Sequence, residues 1–188
     1  MRQLRTFVAD VEDRPGVLNR VVSLFRRRGY NIESLTVGRT ENIGVSRLTV
    51  LMEADDDDAR RIEANLYKLV NVLFVDDLTK QLSMARELGL IKVRTTPASR
   101  PDVLQLAQVF RARTINLSPE TLTLEITGTT DKIDGLVEVL RPFGIVEMVR
   151  TGPVAMRRGT HDPSSERSHS SEEPSSSTPA DDEGGFAA

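Results

Sequence analysis

Two successive blocks of strand–helix–strand–strand–helix–strand pattern predict an α+β protein. They make two tandem ferredoxin-like (βαββαβ) domains, each with its helices on one face of an antiparallel sheet. Three observations carry that reading. Apolar residues switch between a period of two and a helical spacing in the same order twice, over residues 1–78 and 88–159. Turn formers and acidic caps fall at the switches. After Gly159 the chain turns to Ser, Pro and acid with almost nothing apolar, which predicts a disordered tail over residues 160–188.

In the first block, residues 3–12 (QLRTFVADVE) alternate as a half-buried strand, with Leu4, Phe7, Val8 and Val11 apolar. Asp13-Arg14-Pro15-Gly16 is a loop of turn formers. A helix follows over 16–28, with Val17, Leu18, Val21, Val22, Leu24 and Phe25 at helical spacing. It closes on Arg26-Arg27-Arg28, where the dipole favours cations, and on Gly29 at the position after the cap. Residues 30–40 and 45–52 are two strands joined by a Glu41-Asn42-Ile43-Gly44 turn. Asp55-Asp56-Asp57-Asp58 caps a helix over 58–70, which puts Ile62, Leu66, Leu69 and Val70 on one face. Four consecutive aspartates at a helix start point in different directions, so the run reads as capping rather than as a metal site. Residues 72–78 supply the last strand.

Residues 79–87 (TKQLSMARE) are polar and amphipathic and read as a linker. The second block, 88–159, repeats the order. A strand over 88–95 precedes a helix over 101–111, with Val103, Leu106, Ala107 and Phe110 inward. A hairpin follows at 115–117 and 122–127. Asp131 caps a helix over 132–141, and 145–150 closes the sheet. The two blocks share pattern but little sequence.

Composition excludes several function classes. The chain has 188 residues and no cysteine, so disulfides, thiolate zinc sites and Cys nucleophiles are out. A net charge of -3 and 4% aromatics with no Trp argue against a nucleic-acid binder, and the strand over 45–52 offers no aromatic for a base. No run approaches the ~18 apolar residues of a membrane span, and the N-terminus enters a strand pattern directly, so a cytoplasmic protein is expected. Both histidines, His161 and His169, fall in the tail. There is no GxSxG, P-loop or GxGxxG, and Ser34, Ser46 and Ser118 lack a His partner. Glu33, Glu53 and Glu125 lie on predicted strands as solvated or edge charges. Catalysis by this chain alone is not expected.

The stretch with ligand chemistry is the start of the first helix. Pro15 lacks an N–H and pre-sets φ, and Gly16 permits close backbone approach. The N–H groups around Gly16, Val17 and Leu18 have no intrahelical acceptor. A carboxylate there gains hydrogen bonds and ~0.3–1 kcal/mol from the dipole. Asn31, at the start of the next strand, offers a donor and an acceptor. An amino acid presents a carboxylate, an ammonium and a side chain, and this arrangement can meet all three. The same residues also fit a plain amphipathic helix followed by a strand.

The words DRPGVL, RRRGYNIESLTVGRTE and SRLTV resemble the regulatory (small) subunit family of acetolactate synthase, also called acetohydroxyacid synthase. GYNIESL is close to a signature of that family, whereas the DxPG(V/L)L opening is shared by many amino-acid-sensing ACT domains. FRART, SPETLTLEITGTTDKIDGLVEVL and RPFGIVEMVRTGPVAMRRG resemble the C-terminal domain of the same family, so the resemblance covers about residues 2–159. It implies an ACT domain over 1–78 that forms a homodimer. It implies a catalytic large subunit as partner, activation of that partner, and feedback inhibition by valine or another branched-chain amino acid in valine, isoleucine and leucine biosynthesis. The effector would sit at the dimer interface, with Gly16 and the Val17 and Leu18 amides on its carboxylate and Asn31 and Ile32 of the second copy closing the site. Asp13 stands where relatives often carry Asn. Thiamine diphosphate, magnesium and FAD would belong to the catalytic partner, with no cofactor in this chain. The alternative is a stand-alone ACT-type sensor acting on another enzyme or regulator, against which the C-terminal match counts.

Overall fold

A computed structural model describes residues 2–159, and the expected tail with its two histidines lies outside the described residues. In the first domain β1 (Gln3–Glu12) sends Phe7, Ala9 and Val11 into the helix-side core and Val8 and Asp10 to the opposite face. Helix α1 (Val17–Arg27) buries Val17, Val21 and Phe25, spaced four apart along one stripe. Strands β2 (Ile32–Arg39) and β3 (Val45–Ala54), helix α2 (Asp56–Leu66) and strand β4 (Val72–Asp77) complete the unit. The sheet order is β2-β3-β1-β4 with every neighbour antiparallel, which leaves β2 and β4 as edges.

The second domain repeats this with β5 (Ser83–Arg94), α3 (Arg100–Val109), β6 (Arg113–Leu117), β7 (Thr121–Gly128), α4 (Thr130–Leu140) and β8 (Ile145–Arg150), in sheet order β6-β7-β5-β8. Ile91, Leu122, Leu124, Ile126, Ile133 and Leu136 fill its core. Gly135 lets α4 approach α3, since a Cβ there would stand 3.2 Å from the Phe110 ring. The two tandem βαββαβ domains of the sequence reading are therefore present.

Several boundaries are corrected. Residues 79–87 are not a linker. A 3-10 turn (Leu78–Lys80) leads straight into β5, whose first four residues pair with β9 (Val154–Arg157), a strand the sequence did not announce. TKQLSMARE has little strand propensity of its own, and its ladder partner comes from the far end of the chain. Helix α2 starts at Asp56 rather than 58, because the Asp55 carboxylate accepts the Asp58 N–H at 2.8 Å. It ends at Leu66, so Val70 is exposed rather than on the apolar face. Thr129, not Asp131, caps α4, its hydroxyl accepting from the Lys132 N–H.

The open face of the first sheet is partly covered by the β5–β9 ribbon. Val8, Leu78 and Ala155 form a small buried cluster with Ala85 against it. Arg157 of β9 donates both arms of its guanidinium to the buried Asp76 carboxylate of β4, one of them at 2.7 Å. Asp10, with 1% of its side chain exposed, accepts two bonds from Arg47 at 2.7 and 3.1 Å on the same face. In the second domain the buried Glu87 accepts two bonds from Arg150, at 2.7 and 2.8 Å, and this pairing raises the guanidinium pKa. Each buried carboxylate thus has its arginine.

Candidate functional site

The loop before α1 is held from two sides. The Asp13 N–H donates to the Gly44 carbonyl at 2.7 Å and the Arg14 N–H to the Glu12 carbonyl at 2.9 Å. Gly16 then adopts φ 85°, ψ -10°, the left-handed region where a Cβ is costly, and caps the helix without any side-chain bond. The first-turn amides divide unequally. The Val17 N–H reaches the Arg14 carbonyl at 3.3 Å, and the first intrahelical bond runs from the Arg20 N–H to the Gly16 carbonyl at 3.1 Å. Leu18 and Asn19 are left with N–H groups that no group among the described residues accepts. The first turn carries no acidic residue, so the positive end of the dipole is uncompensated from within the helix. Of the nominated amides, Leu18 is therefore open and Val17 is partly engaged, while Asn19 joins the set unannounced by the sequence.

Charges around this end are ordered. The Glu12 carboxylate accepts from Asn71 Nδ2 at 2.6 Å, and Asn71 Oδ1 accepts from Arg20 at 2.5 Å. Asp13 has an exposed side chain 3.8 Å from the Arg39 guanidinium at the end of β2. The loop and first turns that hold the free amides thus also carry one cation, Arg20, engaged by Asn71, and one exposed carboxylate, Asp13.

Asn31 and Ile32 are not in this place. Asn31 is exposed, and Ile32 packs half-buried against the first core. Ile32 pairs with Met52, which pairs with Arg5, whereas Gly16 follows Glu12, which pairs with Val45. The seven residue steps from Val45 to Met52 span about 23 Å of strand. One chain therefore keeps the two halves of the nominated site at opposite ends of its sheet.

Other candidate chemistry resolves into structural roles. The aspartate run splits outward. Asp55 caps α2, Asp56 binds Arg5 and Lys80, Asp57 pairs with Arg60, and Asp58 accepts from the Tyr30 hydroxyl at 3.2 Å. Lys80 and Arg5 hold the Asp56 carboxyl down to about 2. No cluster of three or more metal-type ligands occurs among the described residues, and no helix among them is long and apolar enough to cross a membrane. A groove of about 470 Å³ runs between the open face of β2–β3 and the β5–β9 ribbon, lined by Thr36, Arg39, Arg47, Met84, Val154 and Met156. None of the nominated site residues lines it.

Two family models match consecutive parts of the chain. The AHAS small subunit-like ACT domain matches residues 7–74, and the small subunit of acetolactate synthase matches residues 86–159. The chain belongs to the acetolactate synthase small-subunit family. Its first domain is accordingly an ACT domain. The probable acetolactate synthase small subunit of Methanothermobacter thermautotrophicus is 46% identical over 151 residues, covering 80% of this chain and 90% of that protein. The acetolactate synthase small subunit of Bacillus subtilis is 42% identical over 157 residues, covering 83% and 91%. The crystal structure of the acetolactate synthase small subunit from Thermotoga maritima superposes with a TM-score of 0.78 at 37% identity, covering 85% of this chain and 99% of that one. The small-subunit likeness thus runs through both domains rather than through the ACT domain alone.

Proposed function

We propose that this small-subunit family member is the non-catalytic regulatory subunit of an acetolactate synthase. It activates the catalytic large subunit and confers feedback inhibition by valine or another branched-chain amino acid. In this reading thiamine diphosphate, magnesium and FAD belong to the catalytic partner, and the pair works in the cytoplasm in branched-chain amino-acid biosynthesis. The observation that carries the proposal is the split site. The loop leading to the open amides of α1 and the Asn31–Ile32 pair align with positions about 23 Å apart along β3 within one chain, near the two ends of β2, which is an edge strand among the described residues.

A second copy joins the two halves. Antiparallel pairing of β2 with the β2 of another copy, centred between Leu35 and Thr36, puts Ile32 of one opposite Arg39 of the other. Arg39 lies beside Asp13, so the second copy's Asn31 arrives next to Asp13 and Gly16. Leu18 on α1 and Val37 on β2, 42% and 46% exposed, supply apolar surface at this edge. The effector carboxylate then sits on the Leu18 and Asn19 amides with Gly16 giving access. Its ammonium faces Asp13 and the Asn31 carbonyl oxygen, and its aliphatic side chain meets Ile32 and Leu18.

The test is reconstitution. The chain is co-expressed with a catalytic subunit, and acetolactate formation is followed across titrations of valine, leucine and isoleucine. Expected are co-purification, several-fold activation and inhibition by at least one of the three. A chain that neither co-purifies nor alters the rate ends this reading.

A further inference from the structure

Strand β2, which begins at Ile32 just after Asn31, also touches the second domain. The connection between β8 and β9 is Thr151-Gly152-Pro153, and it lies on the open face of β2. Thr36 Oγ1 donates to the Thr151 carbonyl at 3.2 Å. Gly152 has φ 77°, and a Cβ built on it would collide with Ser34 Oγ and fall 3.2 Å from Ser34 Cβ and 3.3 Å from Thr36 Oγ1. Glycine is thus required twice, by its backbone conformation and by the approach of β2. Pro153 is buried and stiffens the turn. On its other side the turn is bolted to the second sheet, with the Thr151 N–H donating to the Leu88 carbonyl at 3.0 Å and the Leu88 N–H donating to Thr151 Oγ1 at 3.1 Å.

Strand β2 has a register irregularity next to the proposed effector residues. Its register against β3 is regular from Ser34 to Arg39 and breaks between Ile32 and Ser34. A bulge is where a strand absorbs a local shift without losing the rest of its ladder. On one side of it stand Asn31 and Ile32, and on the other stands Ser34, in contact with Gly152. The β9 ribbon beyond the turn is held independently by the Arg157–Asp76 pair and the Val8–Leu78–Ala155 cluster.

We propose that the Thr151–Gly152 turn, seated on Ser34 and Thr36, is the regulatory coupling contact through which occupancy of the effector site acts on the C-terminal domain. The inference rests on the regulatory reading above and adds the route. Effector binding at 31–32 resets the bulge and displaces Ser34. A contact with no room for a methyl group passes that displacement to the turn, and hence to β5 and β8 through Thr151 and Leu88.

The test uses Gly152→Ala, which forces the contact apart, and Thr36→Val, which removes its hydrogen bond at nearly constant volume. Each full-length variant is assayed twice, for valine binding by calorimetry and for acetolactate formation with the catalytic subunit across a valine titration. Expected are valine affinity within threefold of wild type, activation retained, and a half-inhibiting valine concentration raised threefold or more in at least one variant. Half-inhibition shifted less than threefold in both variants overturns the coupling role. So does loss of valine binding, which would make the turn part of the effector site, or equal loss of activation and inhibition, which would make it merely structural. Wild-type protein that binds no branched-chain amino acid overturns the regulatory reading itself, and this inference with it.

Discussion

At the scale of single residues, Gly16 decides most. A negative charge fixed near the Leu18 and Asn19 amides repels an effector carboxylate by about 4 kcal/mol at 4 Å and an effective dielectric near 20, before screening. Gly16→Asp should therefore weaken valine inhibition about a hundredfold with a third of that screened, and still about tenfold with two thirds of it screened. The left-handed φ of 85° adds a cost that a helix start alone does not, about 1–2 kcal/mol for a residue with a Cβ. Asn tolerates that region about as well as Asp, so Gly16→Asn shares the backbone cost and lacks the charge. Both variants should melt a few degrees lower, with Gly16→Asn losing less than tenfold in valine sensitivity. Equal losses in the two would assign the effect to the backbone and not to an anion site. Asn31→Ala removes one polar partner and should weaken inhibition more mildly. Asp56 yields a separate prediction. Bonds from Lys80 and Arg5 lower its folded pKa to about 2, below the ordinary aspartate value near 3.9. Its stabilising contribution is present above about pH 4 and is lost as the pH falls through about 2. Melting temperature should decline across that window in the wild type and decline less steeply in Asp56→Asn.

At the scale of elements, the β5–β9 ribbon binds one domain to the other. Arg157→Ala leaves the buried Asp76 carboxylate without its guanidinium, at a cost of ~2 kcal/mol once the partial exposure of Arg157 is allowed for. For about 150 folded residues that lowers the melting temperature by about 4–8 °C. Adding Asp76→Asn to Arg157→Ala should recover part of the loss, as the stranded charge is gone. A melting temperature unchanged in Arg157→Ala would show the pair to be idle. The ribbon also bears on how the domains divide their work. Residues 1–80 hold the complete first sheet, but without β9 they expose Val8 and Leu78 and leave Asp76 without Arg157. Such a fragment should still bind valine as a dimer and activate poorly, and it should melt below the whole chain. Full activation by the fragment would refute the division.

At the scale of the whole molecule, the proposed dimer forms along the β2 edge of the first sheet. A lysine on an edge strand opposes pairing with a second copy. Val37→Lys should shift the protein from dimer to monomer in sedimentation, with valine binding lost in the same variant because each copy holds half a site. A monomer that binds valine at wild-type affinity would place the effector within one chain. Truncation after Gly159 removes the Ser-, Pro- and acid-rich stretch over residues 160–188. The truncated chain should keep its melting temperature and its activation of the partner, and a clear loss of activation would show the tail to be functional.

The order of elements could be read from the sequence because periodicity is local. Val17, Val21 and Phe25 report a helix, and Phe7, Ala9 and Val11 report a strand, without knowledge of what lies opposite. The chemical interest of Gly16 was legible for the same reason, since amides at a helix start lack acceptors whatever the fold. The family could also be read from words such as GYNIESL. What the sequence left open depends on residues far apart in the chain. Strand β9 and the first four residues of β5 exist because each supplies the other's hydrogen bonds across about seventy residues. Nothing local marks Asp10 and Asp76 as buried acids, and their arginines become partners only through strand register, for Arg47, and docking of the ribbon, for Arg157. The left-handed conformation of Gly16, the separation of Asn31 from it, and the contact of Gly152 with Ser34 belong to the same class. They are set by the register of strands and the docking of one domain on another, which local pattern does not encode.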